Sequence, residues 1–516
     1  MNLLKTLAAI SSMTMLSRIT GLLRESLFAR AFGQSAYTDA FNVAFRIPNL
    51  LRRLFAEGAF SQAFVPILSE YKNQHGETAT KGLVDHVANS LVWATLITAI
   101  IGIIGSPVLL VVVASGLKRN PDAFDASVLM TRVMFPYIAC MSFVALSGGV
   151  LNTWREFKIP AFTPVLLNLA SIFGAVVLVH YFHTPIYAMA AATCIGGLLQ
   201  VAIQIPALVR IGMLPRLSIN PLAGLRDPGV RRILKKMGPA VFAVSAAQIS
   251  LLINTGIATS LGEGALSALQ NADRLMEFPT ALLGVALGTL LLPNLSKANS
   301  EGDTTEYSAL LNWGLRLTFL LALPSAVGLA VMAKPLIAAL FNYGRFTAAD
   351  VARAAAPLTA YSAGLIGIIL VKTLAPAFYA RQDIRTPVRI AVGVLVATQL
   401  MNLIFVPVLG VAGLALSIGL GACLNAGFLY TGLRRRGIYT PHAGWIGFFV
   451  RLLVAVSVMG ALTWFCQAQF DWAALRAHPW LRVGALLLII SVAGAAYFAV
   501  LFAIGFKLRD FKRSAK

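Results

Sequence analysis

Apolar residues recur along this chain in long runs parted by short polar connectors. About 20 apolar residues suffice to cross a bilayer as a helix. The runs are Leu7–Phe32, Ala40–Leu68, Val84–Val113, Val128–Trp154, Ala161–Phe182 and Ile186–Ile211, then Gly238–Ser260, Leu269–Leu295, Ala309–Met332, Val351–Tyr379, Val388–Val408 and Ala412–Leu433, and finally Trp445–Phe465 and Leu481–Phe506. The pattern predicts an all-α polytopic membrane protein with fourteen transmembrane helices. A basic connector, Arg216 to Lys236, and the triplet Arg434-Arg435-Arg436 divide it into 1–225, 226–437 and 438–516. The expected organisation is two six-helix lobes around a central cavity plus two extra C-terminal helices and a basic tail.

Composition agrees with this reading. Of 516 residues, 58% are hydrophobic and 12% charged, about half the charge of a soluble domain. The formal charge of +22 does not imply nucleic acid, because most basic residues lie in connectors, where they set topology and attract anionic lipid. With the N-terminus inside, 24 Lys and Arg fall on inner segments and 6 on outer ones, the other 12 of 42 lying in spans. That asymmetry predicts both ends inside. Arg18 and Arg24 interrupt the first run and no small-x-small cleavage site follows, so Leu7–Phe32 reads as a helix and not a signal peptide. Cys140, Cys194, Cys423 and Cys466 lie in apolar runs without metal-site spacing, so neither a disulfide nor a metal is expected. No nucleotide-binding, hydrolase or Cys/His motif occurs.

The two six-span blocks resemble each other. Pro48 and then Pro66-Ile67-Leu68-Ser69 mark the second span; Pro279 and then Pro293-Asn294-Leu295-Ser296 mark the eighth. Between spans four and five lies Arg155-Glu156-Phe157-Lys158-Ile159-Pro160, and between ten and eleven Arg381-Gln382-Asp383-Ile384-Arg385-Thr386-Pro387. A duplicated six-helix unit in parallel orientation is expected, a recurrent transporter plan.

The charges of Ser17–Pro66 do not suit a simple anchor. The stretch carries Arg18, Arg24, Arg30, Arg46, Arg52 and Arg53 with Glu25, Asp39 and Glu57. An arginine near the bilayer centre costs about 2.5–3.5 kcal/mol on insertion scales, and such residues usually face a bundle interior or a wet path. Ser17 and Arg24 share one helical stripe, and Arg18 and Glu25 the next, so Glu25 is expected to offset Arg18 in part. Gly21 allows close helix approach or a bend. Arg18 and Arg24 read as ligands for an anion, Arg30 as structural, and Arg52 and Arg53 fit either role. Pro48 is expected to kink the second helix, Arg53 to pair with Glu57 four residues on, and Asp39 to sit at a cap position within reach of an arginine. In the second block Arg274, flanked by Asp273 and Glu277, is either a ligand or an ion-pair member. Asn168 lines the same space or bonds helix to helix, and Lys372 serves the cavity or snorkels. Guanidinium groups suit phosphate through bidentate charge-assisted bonds.

The segments MNLLKTLAAISSMTMLSRITGLLRE, TDAFNVAFRIPNLLRRLFAEGAFSQAFVPILSEY, LNTWREFKIPAFTPVLLN, NADRLMEFPTALLGVALGTLLLPNLSK and FYARQDIRTPVRIA closely resemble the bacterial lipid II flippase family of MurJ (MviN) type, through all fourteen spans. The resemblance implies the multidrug/oligosaccharidyl-lipid/polysaccharide exporter fold, with spans thirteen and fourteen forming a lipid-tail groove. The implied cargo is lipid II, the undecaprenyl-pyrophosphate-linked peptidoglycan precursor, moved from inner to outer leaflet. It places substrate-binding positions on Ser17, Arg18, Arg24, Arg52, Asn168 and Arg274. Asp39, Arg46, Arg53 and Glu57 become gates or charge partners; the family often has Lys where this chain has Arg46.

The expectation is thus a bacterial inner-membrane transporter, not an enzyme, working by alternating access. Its partners are lipid II and membrane lipids, with no nucleic acid. A monomer is expected, alone or with cell-wall synthesis proteins. No cofactor is expected; the membrane potential is the anticipated driving force. Asp383 is the clearest acid for a sodium site, and span seven offers no acidic companion, so none is anticipated. The alternatives are a flippase for another polyprenyl-linked glycan, which would show the same phosphate chemistry, and a drug/cation antiporter of the same fold, which would call for carboxylates where this chain has arginines.

Overall fold

The computed structural model describes the backbone of residues 3–52 and 59–506. The first of two units, residues 1–264, contains α1 (Leu3–Phe32), α2 (Ala36–Arg52), α3 (Ala59–Gln74), α4 (Gly76–Val113), α5 (Pro121–Met134), α6 (Tyr137–Thr153), α7 (Lys158–Val176), α8 (Tyr187–Ala202), α9 (Ile205–Arg210), α10 (Leu222–Leu225) and α11 (Pro228–Ser260). The second, residues 265–516, contains α12 (Ala265–Pro279), α13 (Ala286–Ser300), α14 (Thr304–Val331), α15 (Ala333–Phe341), α16 (Ala348–Tyr379), α17 (Arg385–Leu409), α18 (Val411–Arg435), α19 (Trp445–Ala468) and α20 (Pro479–Ala503). The described residues contain no strand. The chain is an all-helical, multi-pass membrane protein.

Among the described residues, ten helical segments are long and apolar enough to cross a membrane. The other four of the fourteen expected spans are the first two of each six-span block. They carry charge or an interruption: α1 holds Arg18, Arg24 and Arg30, and a π-helical turn, Thr280–Val285, separates α12 from α13 right after Pro279. Pro48 does not end α2, which runs on to Arg52. The expected span Val128–Trp154 begins earlier, at Pro121, and is broken between α5 and α6 at Phe135–Pro136. Lipid-facing surfaces are apolar, as bilayer immersion requires: Ile104 is 73% exposed and Val112 77% on α4, and Leu403 73% on α17.

One core of the first unit packs α3, α4, α6, α9 and the start of α11 around Phe64, Leu83, Val150, Leu208 and Ile233. Another packs the end of α1 with α2, α5 and the start of α8 around Ala40, Met130 and Met189. Arg232 of α11 donates both terminal nitrogens to the Glu70 carboxylate of α3 at 2.7 and 2.8 Å. Asp227 caps α11 through Val230 N and meets His86 of α4 at 3.1 Å.

In the second unit α16 is central, packed on α12, α14 and α18. A Cβ on Gly364 would stand 2.0 Å from Gly419 Cα, so only glycine permits that α16–α18 crossing. A ladder of polar residues one turn apart on α14 grips the connector before α19. Ser308 bonds Thr440 O at 2.9 Å. Asn312 Oδ1 accepts from Trp445 Nε1 at 2.9 Å and Tyr439 Oη at 3.3 Å. Arg316 Nη2 donates to Ala443 O at 2.9 Å. At the other end of the unit Arg482, wholly buried, donates to Asn342 O at 3.1 Å and lies 4.7 Å from the Tyr343 ring centroid. Arg476 donates to Gly344 O. The α19–α20 connector and the first turn of α20 thereby hold the α15–α16 connector.

The two connectors singled out in the sequence share one backbone design. Arg155 (φ 65°) and Gln382 (φ 59°) are the non-glycine residues with positive φ among those described, and each precedes a proline by five positions. Glu156 N bonds Leu151 O at 2.9 Å, and Asp383 N bonds Phe378 O at 3.0 Å; Arg155 N bonds Asn152 O at 3.0 Å, and Gln382 N bonds Tyr379 O at 2.9 Å. Both are Schellman caps in a left-handed conformation that glycine usually occupies.

Candidate functional site

In the first unit the α1–α7 interface joins three of the residues picked from sequence. Arg24 Nη1 donates to Asn168 Oδ1 at 3.1 Å. Asn168, 7% exposed, uses its amide NH2 to bond Ser17 O at 3.0 Å and Thr20 Oγ1 at 3.1 Å. Ser17 therefore enters through its carbonyl, and Thr20, missed in the sequence, completes the network. The Arg24 guanidinium also pairs with Glu25, their side chains being 19% and 16% exposed. This corrects the assignment of Glu25 to Arg18: the neighbouring Arg24 folds back onto it. Arg18 is exposed and makes no hydrogen bond or ion pair among the described residues. Arg30 is likewise exposed and without an acid partner there. A Cβ on Gly21 would stand 3.6 Å from Asn168 Nδ2, ordinary contact, so helix approach here does not demand glycine.

Asp39 sits elsewhere. Reciprocal Ser35–Thr38 bonds, 2.7 Å from Ser35 N to Thr38 Oγ1 and 3.3 Å from Thr38 N to Ser35 Oγ, hold the start of α2. The cap is therefore Ser35 and not Asp39. Asp39, 1% exposed, accepts from Gly264 N at 2.8 Å, just beyond α11. Around it Arg119 Nη1 donates to Ser260 O at 2.7 Å and Asn120 Nδ2 to Glu263 Oε1 at 3.1 Å. A Cβ on Gly116 would fall 2.2 Å from Thr259 O, which fixes glycine where this connector meets α11. These groups line a cavity of about 190 Å³. Sequence reasoning missed Arg119, Asn120 and Glu263. Their signal was a pair of adjacent basic residues, Lys118-Arg119, in a short connector.

Arg46 donates to Thr255 Oγ1 of α11. Arg52 ends α2, but its side chain lies outside the described residues, as do Arg53 and Glu57. In the second unit Arg274 pairs with Glu277 at 3.2 Å, its side chain 38% exposed. Lys372 lays its stem on the π-helical turn, where a Cβ on Gly284 would stand 2.6 Å from Lys372 Cδ. Asp383 is taken by Thr386 and by Arg436 at 2.7 Å. No group of three His, Cys, Asp or Glu that could hold a metal occurs among the described residues.

Asp383 carries a pH prediction. The Thr386 hydroxyl and amide, with Arg436, hold its carboxyl down from 3.8 to about 2. A carboxylate depressed in the folded state adds stability above its unfolded value, and that stability disappears as pH falls through the folded one. The melting-temperature difference between wild type and Asp383→Asn is therefore expected to be full above pH 4 and to shrink towards pH 2. A difference constant over that interval would remove the carboxylate from the account.

The fold matches that of a multidrug resistance MATE transporter of the MOP superfamily in an inward-facing conformation, with TM-score 0.66, 16% identity, and 84% of this chain and 98% of that chain covered. It matches more completely a lipid II flippase MurJ structure described as inward closed, with TM-score 0.81, 24% identity, and 98% and 99% coverage. The chain therefore has the fold that these two structures share. Residues 28–482 match the family described as lipid II flippase MurJ. The lipid II flippase of Burkholderia cenocepacia is 56% identical over 516 residues, covering all of both chains. Probable lipid II flippases of Haemophilus influenzae (40%, 96% and 98% coverage) and Vibrio cholerae (38%, 100% and 98%) follow the same pattern. The chain belongs to the MurJ lipid II flippase family. It is a transporter and not an enzyme.

Proposed function

We infer that this chain moves lipid II across the bacterial inner membrane, from inner to outer leaflet, by alternating access, and so serves peptidoglycan synthesis. The observation that carries this is the 56% identity, end to end, with a curated lipid II flippase. The first unit supplies a fitting element. Arg24 is held by Asn168 and Glu25 in a half-buried position, and Arg18 beside it has both charge and exposure to spare. Guanidinium groups so placed suit a pyrophosphate. Arg274, half exposed in the second unit, is a further candidate.

The reading includes fourteen spans, both ends inside, and no bound cofactor. The membrane potential is the driving force: about 2.3 kcal/mol per charge per 100 mV favours outward movement of an anionic headgroup when the inside is negative. Lipid II translocation by the reconstituted protein is expected to accelerate when an inside-negative potential is imposed and to slow when it is collapsed. An unchanged rate would overturn the voltage scheme. Translocation of a different polyprenyl-linked glycan in preference to lipid II would overturn the cargo.

A further inference from the structure

Between α9 and α11 the chain returns along α4. Residues 213–220 run there without helix, and Asp85, Asn89 and Trp93, one turn apart on one face of α4, each hold their backbone. Arg216 N donates to Asp85 Oδ1 at 2.8 Å. Ser218 N donates to Asn89 Oδ1 at 3.1 Å, and Asn89 Nδ2 donates to Asn220 O at 2.9 Å. Trp93 Nε1 donates to Ser218 O at 3.1 Å. A Cβ on Gly224 would fall 2.1 Å from Ser90 Oγ, so the short helix α10 also presses on α4.

Trp93 sets the depth of this strip. The lipid-facing residues of α4 begin about one turn further on, at Leu96 and Ile97, and continue through Ile101, Ile104, Val108 and Val112. Tryptophan favours the boundary between hydrocarbon and water, and Ser218, bonded to it, stands at that boundary. The next residue, Ile219, is 91% exposed, and Leu217, Leu222 and Leu225 are exposed with it. Single exposed apolar residues are ordinary. Four within nine positions, at the edge of a bilayer, form a patch of the kind that marks an interaction surface.

Charge says what the patch meets. From Arg210 to Lys236 the chain has seven basic residues and one acid, Asp227. Asp227 is committed to His86 and to the cap of α11, Asp85 to Lys81 and Arg216 N, and Arg232 to Glu70. The Arg216 and Arg226 side chains are exposed and make no hydrogen bond or ion pair among the described residues. Apolar residues flanked by uncommitted guanidinium groups match an anionic lipid surface, which takes the first into its acyl boundary and the second onto its phosphates. A protein partner would have to cover Ile219 at bilayer level, where lipid already stands.

We propose that residues 216–226 form a membrane-surface strap: Ile219 and the three leucines enter the acyl boundary of an anionic leaflet, and Arg216 and Arg226 hold lipid phosphates. The strap anchors the first unit and takes no part in holding the cargo. The test sets the photoreactive residue p-benzoylphenylalanine in place of Ile219 in the full-length protein, in nanodiscs of equal dioleoyl phosphatidylglycerol and dioleoyl phosphatidylcholine. The irradiated protein is weighed intact. Lipid adducts are expected, with phosphatidylglycerol in excess. The same residue in place of Glu77, exposed on α4 about 24 Å from Trp93 at about 1.5 Å per residue, is expected to give none. Arg216→Gln keeps the backbone bond to Asp85 and is expected to lower the ratio of phosphatidylglycerol to phosphatidylcholine adducts about fivefold, the worth of one arginine near an anionic surface. Equal lipid adducts at the two positions would overturn the strap. Equal adducts of the two lipids, or a ratio that neither Arg216→Gln nor Arg226→Gln moves, would overturn the phosphate contacts. Adducts of doubled protein mass would assign the face to a second copy of the chain instead. No translocation is measured and both leaflets of a nanodisc have one composition, so the result is separate from the transport reading and from the side on which the connector lies.

Discussion

Replacing Arg24 by alanine is expected to slow lipid II translocation about 100-fold, the loss of two hydrogen bonds to a charged group at about 1.5 kcal/mol each. Arg24 already spends one nitrogen on Asn168 and another on Glu25. It is thus held in place before any ligand arrives, and little side-chain freedom is left to lose on binding. Arg24→Lys keeps the charge but not the planar fork, so it is expected to recover only part of the rate. Asn168→Ala removes the orienting group and leaves the charge; a loss of about tenfold is expected, from one hydrogen bond of about 1–1.5 kcal/mol. The check is lipid II translocation into vesicles carrying equal amounts of each folded variant. An Arg24→Ala rate within twofold of wild type would end the ligand role, whatever the other variants did.

The second large effect is on stability. Arg482 is fully buried, has no carboxylate partner among the described residues, and bonds two backbone carbonyls, Asn342 O at 3.1 Å and Trp472 O at 3.5 Å. Arg482→Ala leaves those acceptors unpaired and a void beside Tyr343. A destabilisation of about 2–4 kcal/mol is expected from the two together. Arg482→Met keeps the length of the stem and is expected to recover the packing share but not the hydrogen bonds. Thermal unfolding in one detergent decides it. If alanine and methionine cost the same, packing contributes nothing and the void argument fails.

Both sites show what could be read from the chain. The helices α16, α19 and α20 appear in the sequence within a few residues of their observed ends, because uniform apolar runs bounded by polar connectors leave little choice. Ser17, Arg24 and Asn168 were individually visible as polar groups in apolar runs. Their bond was not, because a pair 144 positions apart leaves no periodic trace. The same holds for Asp39 and Gly264, 225 apart. The break at Phe135–Pro136 and the π-helical turn after Pro279 were hidden for a different reason: hydropathy is blind to a change of hydrogen-bond register. The Ser308, Asn312 and Arg316 ladder was readable as a four-residue spacing. It escaped notice because a polar stripe on one helix does not say what will bond to it.

That ladder has a consequence for biosynthesis. Ser308 and its partner Thr440 are 132 positions apart. At about 5–20 residues per second, roughly 7–26 s of synthesis separate them. During that interval α14 enters the membrane carrying an arginine whose final acceptor does not yet exist. The nascent helix must stay near the water-lined insertion machinery, or borrow another partner, until residues 439–445 emerge. The last two helices are therefore docked late onto a surface that has been waiting for them, and a chain arrested before Tyr439 leaves three polar groups facing lipid, a lesion for membrane quality control to recognise.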